Sequence, residues 1–138
     1  MIDEPSRPER GERSAAARVL VAEDDAAVRQ VVVRLLSRAG YTVLSAADGG
    51  EALELVASHT IDVLVSDVVM PTMSGPELAR EVLARYPRVG VVLVSGYAHA
   101  SPELADLMKR GALFVGKPFA ATDLVEAVER ARTVRVQS

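Results

Sequence analysis

The stretch IDVLVSDVVMP, residues 61–71, decides the fold class. It is a short apolar run that ends in a carboxylate, Asp67, and then continues into Val68-Val69-Met70-Pro71. Other apolar runs also end in polar or glycine residues: 18–22 before Glu23-Asp24-Asp25, 91–94 before Ser95-Gly96, and 113–115 before Gly116-Lys117-Pro118. Because amphipathic stretches separate these runs, the pattern predicts a parallel sheet with helices on both faces.

Right-handed crossovers and short loops favour a doubly wound α/β fold, with five parallel strands in the order 2-1-3-4-5 and five helices. The predicted strands are 18–23, 41–46, 62–66, 89–94 and 113–115, and the predicted helices are 26–38, 50–58, 75–86, 102–110 and 121–132.

The ends of the helices carry their own signals. Asp25 is a candidate N-cap of the first helix and is therefore kept out of the primary site. Gly40 is a plausible end of that helix, and Ser101 is the expected N-cap of the fourth. Asp48-Gly49 is predicted as a turn.

Composition narrows the class of protein. The chain has 138 residues, 49% of them hydrophobic and 25% charged, which is typical of one soluble domain. A net charge of −3 does not favour nucleic acid as a binding partner, and the lack of cysteine excludes disulfides and thiolate metal sites.

We expect a disordered tail or linker over 1–17, a folded domain over 18–132 and a short tail over 133–138. Without a signal core or a long apolar run, a cytoplasmic location and no membrane contact are expected.

The polar residues that follow the strands are predicted to meet at one edge of the sheet. In the order 2-1-3-4-5 the switch point lies between strands 1 and 3, which carry Glu23, Asp24 and Asp67. Carboxylates about 4 Å apart repel by roughly 4 kcal/mol at an effective dielectric constant of 20, so they need a cation among them. Hard oxygen donors favour Mg²⁺ or Mn²⁺. A carboxylate beside such an ion can attack phosphorus, while Lys117 and Ser95 neutralise the phosphoryl oxygens.

With these residues in this order, the chain resembles the flavodoxin-like receiver domain of two-component response regulators, over about residues 18–132. The matching motifs are Glu23-Asp24, Asp67 with Met70-Pro71 and Gly75, Ser95-Gly96, and Lys117-Pro118-Phe119.

The resemblance implies a phosphoacceptor site. Asp67 would take a phosphoryl group from a phosphohistidine of a histidine kinase or a histidine phosphotransfer protein. Asp24, Asp67 and the Val69 carbonyl would hold Mg²⁺, with Glu23 acting largely through water. Such a domain catalyses its own phosphorylation but is not an enzyme with a separate substrate, unless it is part of a larger hybrid kinase.

The resemblance also implies a switch. Lys117 and Ser95 would bind the phosphoryl oxygens, the Lys117–Pro118 bond would be cis, and Ser95 and Phe114 would couple phosphorylation to conformation. Because Phe114 has no hydroxyl, we expect its ring to be inward much of the time, which would weaken the conformational readout.

Two surfaces are candidates for protein contacts. Output is expected through the face of helix 4, strand 5 and helix 5, toward a possible downstream effector protein and without direct DNA binding. The kinase or phosphotransfer partner is expected on helix 1, where Val28, Val32 and Leu35 are candidates for an exposed apolar edge. Ser95-Gly96-Tyr97 looks like receivers carried by hybrid histidine kinases, so a free-standing regulator and a hybrid-kinase receiver both stay open.

Residues beside the site predict a long-lived phosphoryl group. Val69 cannot hydrogen-bond an attacking water, and Tyr97 is bulky. Loss of the group is therefore expected to take many minutes or longer.

Three other functions fit the residues less well. A Mg²⁺-dependent phosphatase with an aspartyl nucleophile typically has a second acid two residues after the nucleophile, where this chain has Val69. A degenerate receiver that binds proteins independently of phosphorylation is disfavoured by the full set of acids, Ser95 and Lys117. A flavin-binding protein is disfavoured because acids, not a phosphate-binding loop, follow the first strand.

Overall fold

The computed structural model describes residues 17–96 and 101–133. In this part of the chain strands and helices alternate five times: β1 Arg18–Ala22, α1 Ala26–Arg38, β2 Thr42–Ala46, α2 Gly49–Ser58, β3 Val63–Asp67, α3 Gly75–Arg85, β4 Gly90–Ser95, α4 Pro102–Lys109, β5 Leu113–Gly116 and α5 Ala121–Thr133. The predicted tails, apart from Ala17 and Thr133, lie outside the described residues, and so does Tyr97.

The five strands form one parallel sheet in the order β2-β1-β3-β4-β5, which confirms the predicted fold class. β1 and β3 are neighbours, with Ala22 opposite Ser66. Ser95, the last residue of β4, lies opposite Gly116, the last residue of β5. The carboxyl ends of β1, β3, β4 and β5 therefore meet at one edge of the sheet.

Alternate residues of each central strand enter two separate cores, because successive side chains point to opposite faces of a sheet. On one face, Leu20, Leu64 and Leu93 pack with residues of α2, α3 and α4. On the other, residues such as Val19 and Val65 pack with α1 and α5. Burial on both faces explains why these strands read as continuous apolar runs and not as alternating ones.

Side-chain caps fix where the helices begin. Asp25 accepts hydrogen bonds from the backbone N–H groups of Ala27 and Val28, as expected of the N-cap of α1. Asp48, predicted to be in a turn, is instead the N-cap of α2, and Gly49 is the first residue of that helix. The physical reason is that the Asp48 carboxylate accepts from the N–H of Glu51.

The exposed edge of α1 differs from the prediction. Val32 is 6% exposed and belongs to the core, so its assignment to an exposed apolar edge was wrong. Val28 and Leu35 are half-buried, whereas Val31 is 61% exposed. Helical spacing alone does not distinguish the centre of a buried face from its rim, so it did not separate these neighbours.

None of the helices in the described ranges has the length and hydropathy needed to cross a bilayer.

Candidate functional site

Three carboxylates converge where β1 and β3 end. Glu23 and Asp24 directly follow β1, and Asp67 is the last residue of β3. One carboxylate oxygen from each lies within 4.8 Å of the other two. The side chains of Glu23 and Asp67 are only 7% and 13% exposed, whereas Asp24 faces solvent. This arrangement is an acidic pocket, open on the Asp24 side, whose oxygen donors could hold a divalent cation.

A lysine from the end of β5 completes this cluster. The Nζ atom of Lys117 lies 3.1 Å from Oδ2 of Asp67 and 3.5 Å from Oε1 of Glu23. Its backbone N–H donates to the Ser95 carbonyl at 2.8 Å, which ties the end of β5 to β4. Burial opposes the charge of the ammonium group, but its hydrogen bond to Asp67 and the attraction of both carboxylates raise the pKa of Lys117. The Lys117–Pro118 peptide bond is cis, as expected.

The protonation of Glu23 differs from that of an ordinary glutamate. Burial raises the pKa of Glu23 to about 7, and the negative charge of Asp67 adds to the increase. The hydrogen bond from the backbone N–H of Asp25 and the charge of Lys117 act in the opposite direction. Without a metal ion, the cluster therefore holds a proton on Glu23 up to near-neutral pH.

This shift predicts a pH dependence of folding. Because the pKa of Glu23 is about 7 in the folded protein and 4.5 for an ordinary glutamate, the metal-free folded state binds the proton more tightly than the unfolded chain does. Its contribution to the free energy of unfolding is therefore full below pH 4.5 and is lost as the pH rises to about 7. The loss amounts to at most about 3 kcal/mol. Glu23→Gln should remove this pH dependence. The free energies of unfolding of the wild type and the variant, measured with urea in EDTA, should therefore diverge between pH 5 and about 7.5. If the free energies of unfolding of the two proteins changed with pH in parallel, the raised pKa of Glu23 would be contradicted.

The other predicted residues lie at the end of β4, just after β3, and within β5. Ser95 is the last residue of β4 and is 2% exposed. Val69 is 53% exposed, and its N–H donates to Oδ1 of Asp67 at 3.3 Å. Phe114 is half-buried and packs against the core that contains Leu93. Val69 follows the end of β3 and Ser95 ends β4, at the edge of the sheet that carries the acids, whereas Phe114 lies within β5, opposite Leu93.

One contact at the site had no signal in the sequence. Nη1 of Arg29, on α1, donates to the backbone carbonyl oxygen of Glu23 at 2.8 Å. Arg29 follows Asp25 by one helical turn, so it lies on the side of α1 near the end of β1. An arginine at that spacing is common on any amphipathic helix, and no motif singled it out.

The comparisons with known proteins agree with this geometry. Residues 19–129 match the family model described as the response regulator receiver domain. The chain is 43% identical over 120 residues to the sensor kinase CckA of Brucella abortus (strain 2308), a match that covers 84% of this chain and 12% of the kinase. It is 34% identical over 113 residues to the response regulator receiver protein CpdR of the same organism, covering 82% of this chain and 94% of CpdR.

The fold of this chain is also similar to that of a solved response regulator structure. The response regulator protein TrrA of Thermotoga maritima, crystallised in complex with Mg²⁺-BeF, is 30% identical to this chain with a TM-score of 0.74. The match covers 83% of this chain and 98% of that one. The sequence match, the strand order and the clustered acids lead to one conclusion: the chain belongs to the response regulator receiver domains of two-component signalling.

Proposed function

We propose that residues 18–132 act as a phosphorylatable switch or relay, in which Asp67 accepts a phosphoryl group from the phosphohistidine of a histidine kinase or histidine phosphotransfer protein. The observation that carries the proposal is the convergence of three carboxylates within 4.8 Å beside the ammonium group of Lys117. Phosphoryl transfer depends mainly on positioning and on neutralising charge, and this edge of the sheet offers both.

The donor set fits Mg²⁺. Its carboxylates are hard oxygen ligands, and the described part of the cluster includes no imidazole or thiolate. In the proposal, Asp24, Asp67 and the Val69 carbonyl hold the ion, and Glu23 acts on it largely through water. When bound, Mg²⁺ supplies positive charge that offsets the charge of the phosphoryl oxygens.

The chain's own residues carry the proposed transfer. A carboxylate oxygen of Asp67 attacks the phosphorus, and the new O–P bond forms as the P–N bond of the phosphohistidine breaks. The donor imidazole leaves with the electron pair of that bond and takes up a proton from solvent. In the proposal, Lys117 and the hydroxyl of Ser95 contact phosphoryl oxygens, and Ser95 and Phe114 couple phosphorylation to the conformational response.

The test is the intact mass of the protein after incubation with Mg²⁺ and acetyl phosphate. We expect a gain of one phosphoryl group that is absent in Asp67→Asn and in EDTA. A protein that gains no phosphoryl group and also fails to bind Mg²⁺ in a titration would contradict the proposal. That result would favour a binding module that works independently of phosphorylation.

The lifetime of the phosphoryl group is a separate prediction. Val69 is exposed beside Asp67, and its apolar side chain cannot orient an attacking water. We expect slow loss, over many minutes or longer, and a several-fold faster loss in Val69→Asn, whose amide can hydrogen-bond that water. The measurement is the decay of the phosphorylated mass after removal of the donor. Equal decay in the two proteins would contradict the role of Val69.

Two assemblies are compatible with the proposed function. The relatives include CckA, of which the chain matches 12%, and CpdR, of which it matches 94%. The switch would serve a free-standing regulator or a hybrid kinase equally well. In either case, output is proposed through the face of α4, β5 and α5.

A further inference from the structure

Arg29 reaches back from α1 to the end of β1. Its Nη1 atom donates to the carbonyl oxygen of Glu23 at 2.8 Å, and its side chain is half-buried. The two residues belong to different parts of the fold, so the contact links the helix to the segment that carries two of the three clustered acids.

The Glu23 carbonyl needs this donor because the sheet no longer supplies one. The N–H and carbonyl of Glu23 face β2, and the ladder between β1 and β2 ends with Ala22 opposite Ala46. The N–H of Glu23 still bonds to the Ala46 carbonyl at 3.1 Å, but its own carbonyl lies beyond the ladder. Within residues 17–96 and 101–133, the donor to this carbonyl is Arg29. Glu23 is 5% exposed, and a buried carbonyl without a donor costs free energy.

Glu23 is consequently held through its backbone and its side chain. Its backbone is fixed by Ala46 and Arg29, Oε2 accepts from the Asp25 N–H at 3.1 Å, and Oε1 lies 3.5 Å from Lys117. Asp24, in contrast, has an exposed side chain. Its position depends on the peptides on either side, one held by Arg29 and the other by the bond from the Asp25 N–H to the Glu23 carboxylate.

We propose that Arg29 is a positioning residue of the metal site: by holding the Glu23 carbonyl, it sets the direction in which Glu23 and Asp24 present their carboxylates to Asp67. The inference rests on the proposed function, since Mg²⁺ is the ligand concerned. Arg29 acts through the Glu23 peptide and does not itself touch the ion or the phosphoryl group.

The chemistry of arginine suits this task. The guanidinium group is planar, remains protonated at any physiological pH and has several donors in fixed directions. It therefore holds the Glu23 carbonyl more rigidly than a lysine would.

The first test uses the metal-free protein. In Arg29→Met, amide hydrogen exchange at Asp25, whose N–H bonds to the Glu23 carboxylate, should be several-fold faster than in the wild type. Exchange at Val32, in the middle of α1, should be unchanged, which shows that the helix is intact. The matched control is Arg34→Met, because Arg34 is an exposed arginine on the same helix.

The second test is Mg²⁺ binding. Arg29→Met should weaken the Mg²⁺ affinity by about ten-fold, as for other residues that orient metal ligands. The rate of phosphorylation by acetyl phosphate at saturating Mg²⁺ should stay close to that of the wild type. Arg29→Lys should restore part of the affinity, and Arg34→Met should bind like the wild type.

The outcomes separate this inference from the proposed function. If the wild type binds Mg²⁺ and Arg29→Met binds it equally well, with no change at the Asp25 amide, Arg29 does not position the site. A lower phosphorylation rate at saturating Mg²⁺ with unchanged affinity would also overturn the positioning role. Wild-type protein that binds no Mg²⁺ would overturn this inference, and if it also gained no phosphoryl group, it would overturn the proposed function as well.

Discussion

Replacing Lys117 with glutamine is expected to slow the phosphorylation of Asp67 by about 100-fold at saturating Mg²⁺, the usual cost of removing one donor aimed at developing negative charge. Nζ of Lys117 lies 3.1 Å from Oδ2 of Asp67, so it is in place to meet the oxygens of a group attached there. Glutamine keeps a hydrogen-bond donor, but it is uncharged and one bond shorter than lysine, so the variant removes both the charge and the reach of the ammonium group.

The measurement is the rate at which the phosphorylated mass accumulates with acetyl phosphate. Lys109→Gln is the matched control, because Lys109 is an exposed lysine at the end of α4. That control should react like the wild type. A Lys117→Gln protein that reacts as fast as the control would remove Lys117 from the proposed chemistry.

Replacing Gly75 with alanine is expected to destabilise the fold by about 3 kcal/mol, at the upper end of the usual cost of overpacking. A Cβ atom at Gly75 would lie 2.2 Å from the carbonyl oxygen of Asp67 and 3.0 Å from the Cα atom of Val68. Both neighbours are backbone atoms, and the Gly75 N–H also bonds to the Val68 carbonyl at 2.9 Å. The loop can make room only by moving Asp67, the proposed phosphoacceptor.

Urea unfolding in EDTA measures this effect, with Gly50→Ala as the control. The Cβ of an alanine at 50 would meet only Oδ1 of Asp48, at 3.5 Å, and Gly50 lies in α2. Alanine there should leave stability unchanged or raise it by up to about 1 kcal/mol, because alanine is the better helix former. If Gly75→Ala were as stable as Gly50→Ala, the tight approach of α3 to Asp67 would not be a constraint.

Much of the fold was predictable because its signals are local. The apolar runs of β1, β3 and β4 are buried on both faces, and such runs are typical of parallel sheets. Ser101 and Asp25 cap α4 and α1 through their own side chains, so the sequence marks where these helices begin. The convergence of Glu23, Asp24 and Asp67 follows from strand order, since β1 and β3 are neighbours.

The features that were missed depend on contacts between distant parts of the chain. Whether Val31 or Val32 is exposed depends on how α1 is rotated against the sheet, which helical periodicity does not fix. The bond from Arg29 to the Glu23 carbonyl depends on how a long side chain packs across a loop. The raised pKa of Glu23 could not be predicted from the sequence, because it depends on how deeply the carboxyl group is buried in the fold.

The central claim is that Asp67 is the residue phosphorylated, and chemical mapping tests it most directly. After incubation with acetyl phosphate and Mg²⁺, borohydride reduction converts an aspartyl phosphate to homoserine, which peptide mass spectrometry locates. We predict homoserine at position 67, with none when Mg²⁺ is replaced by EDTA. Homoserine at Asp24 or at another acid, with Asp67 intact, would contradict the account.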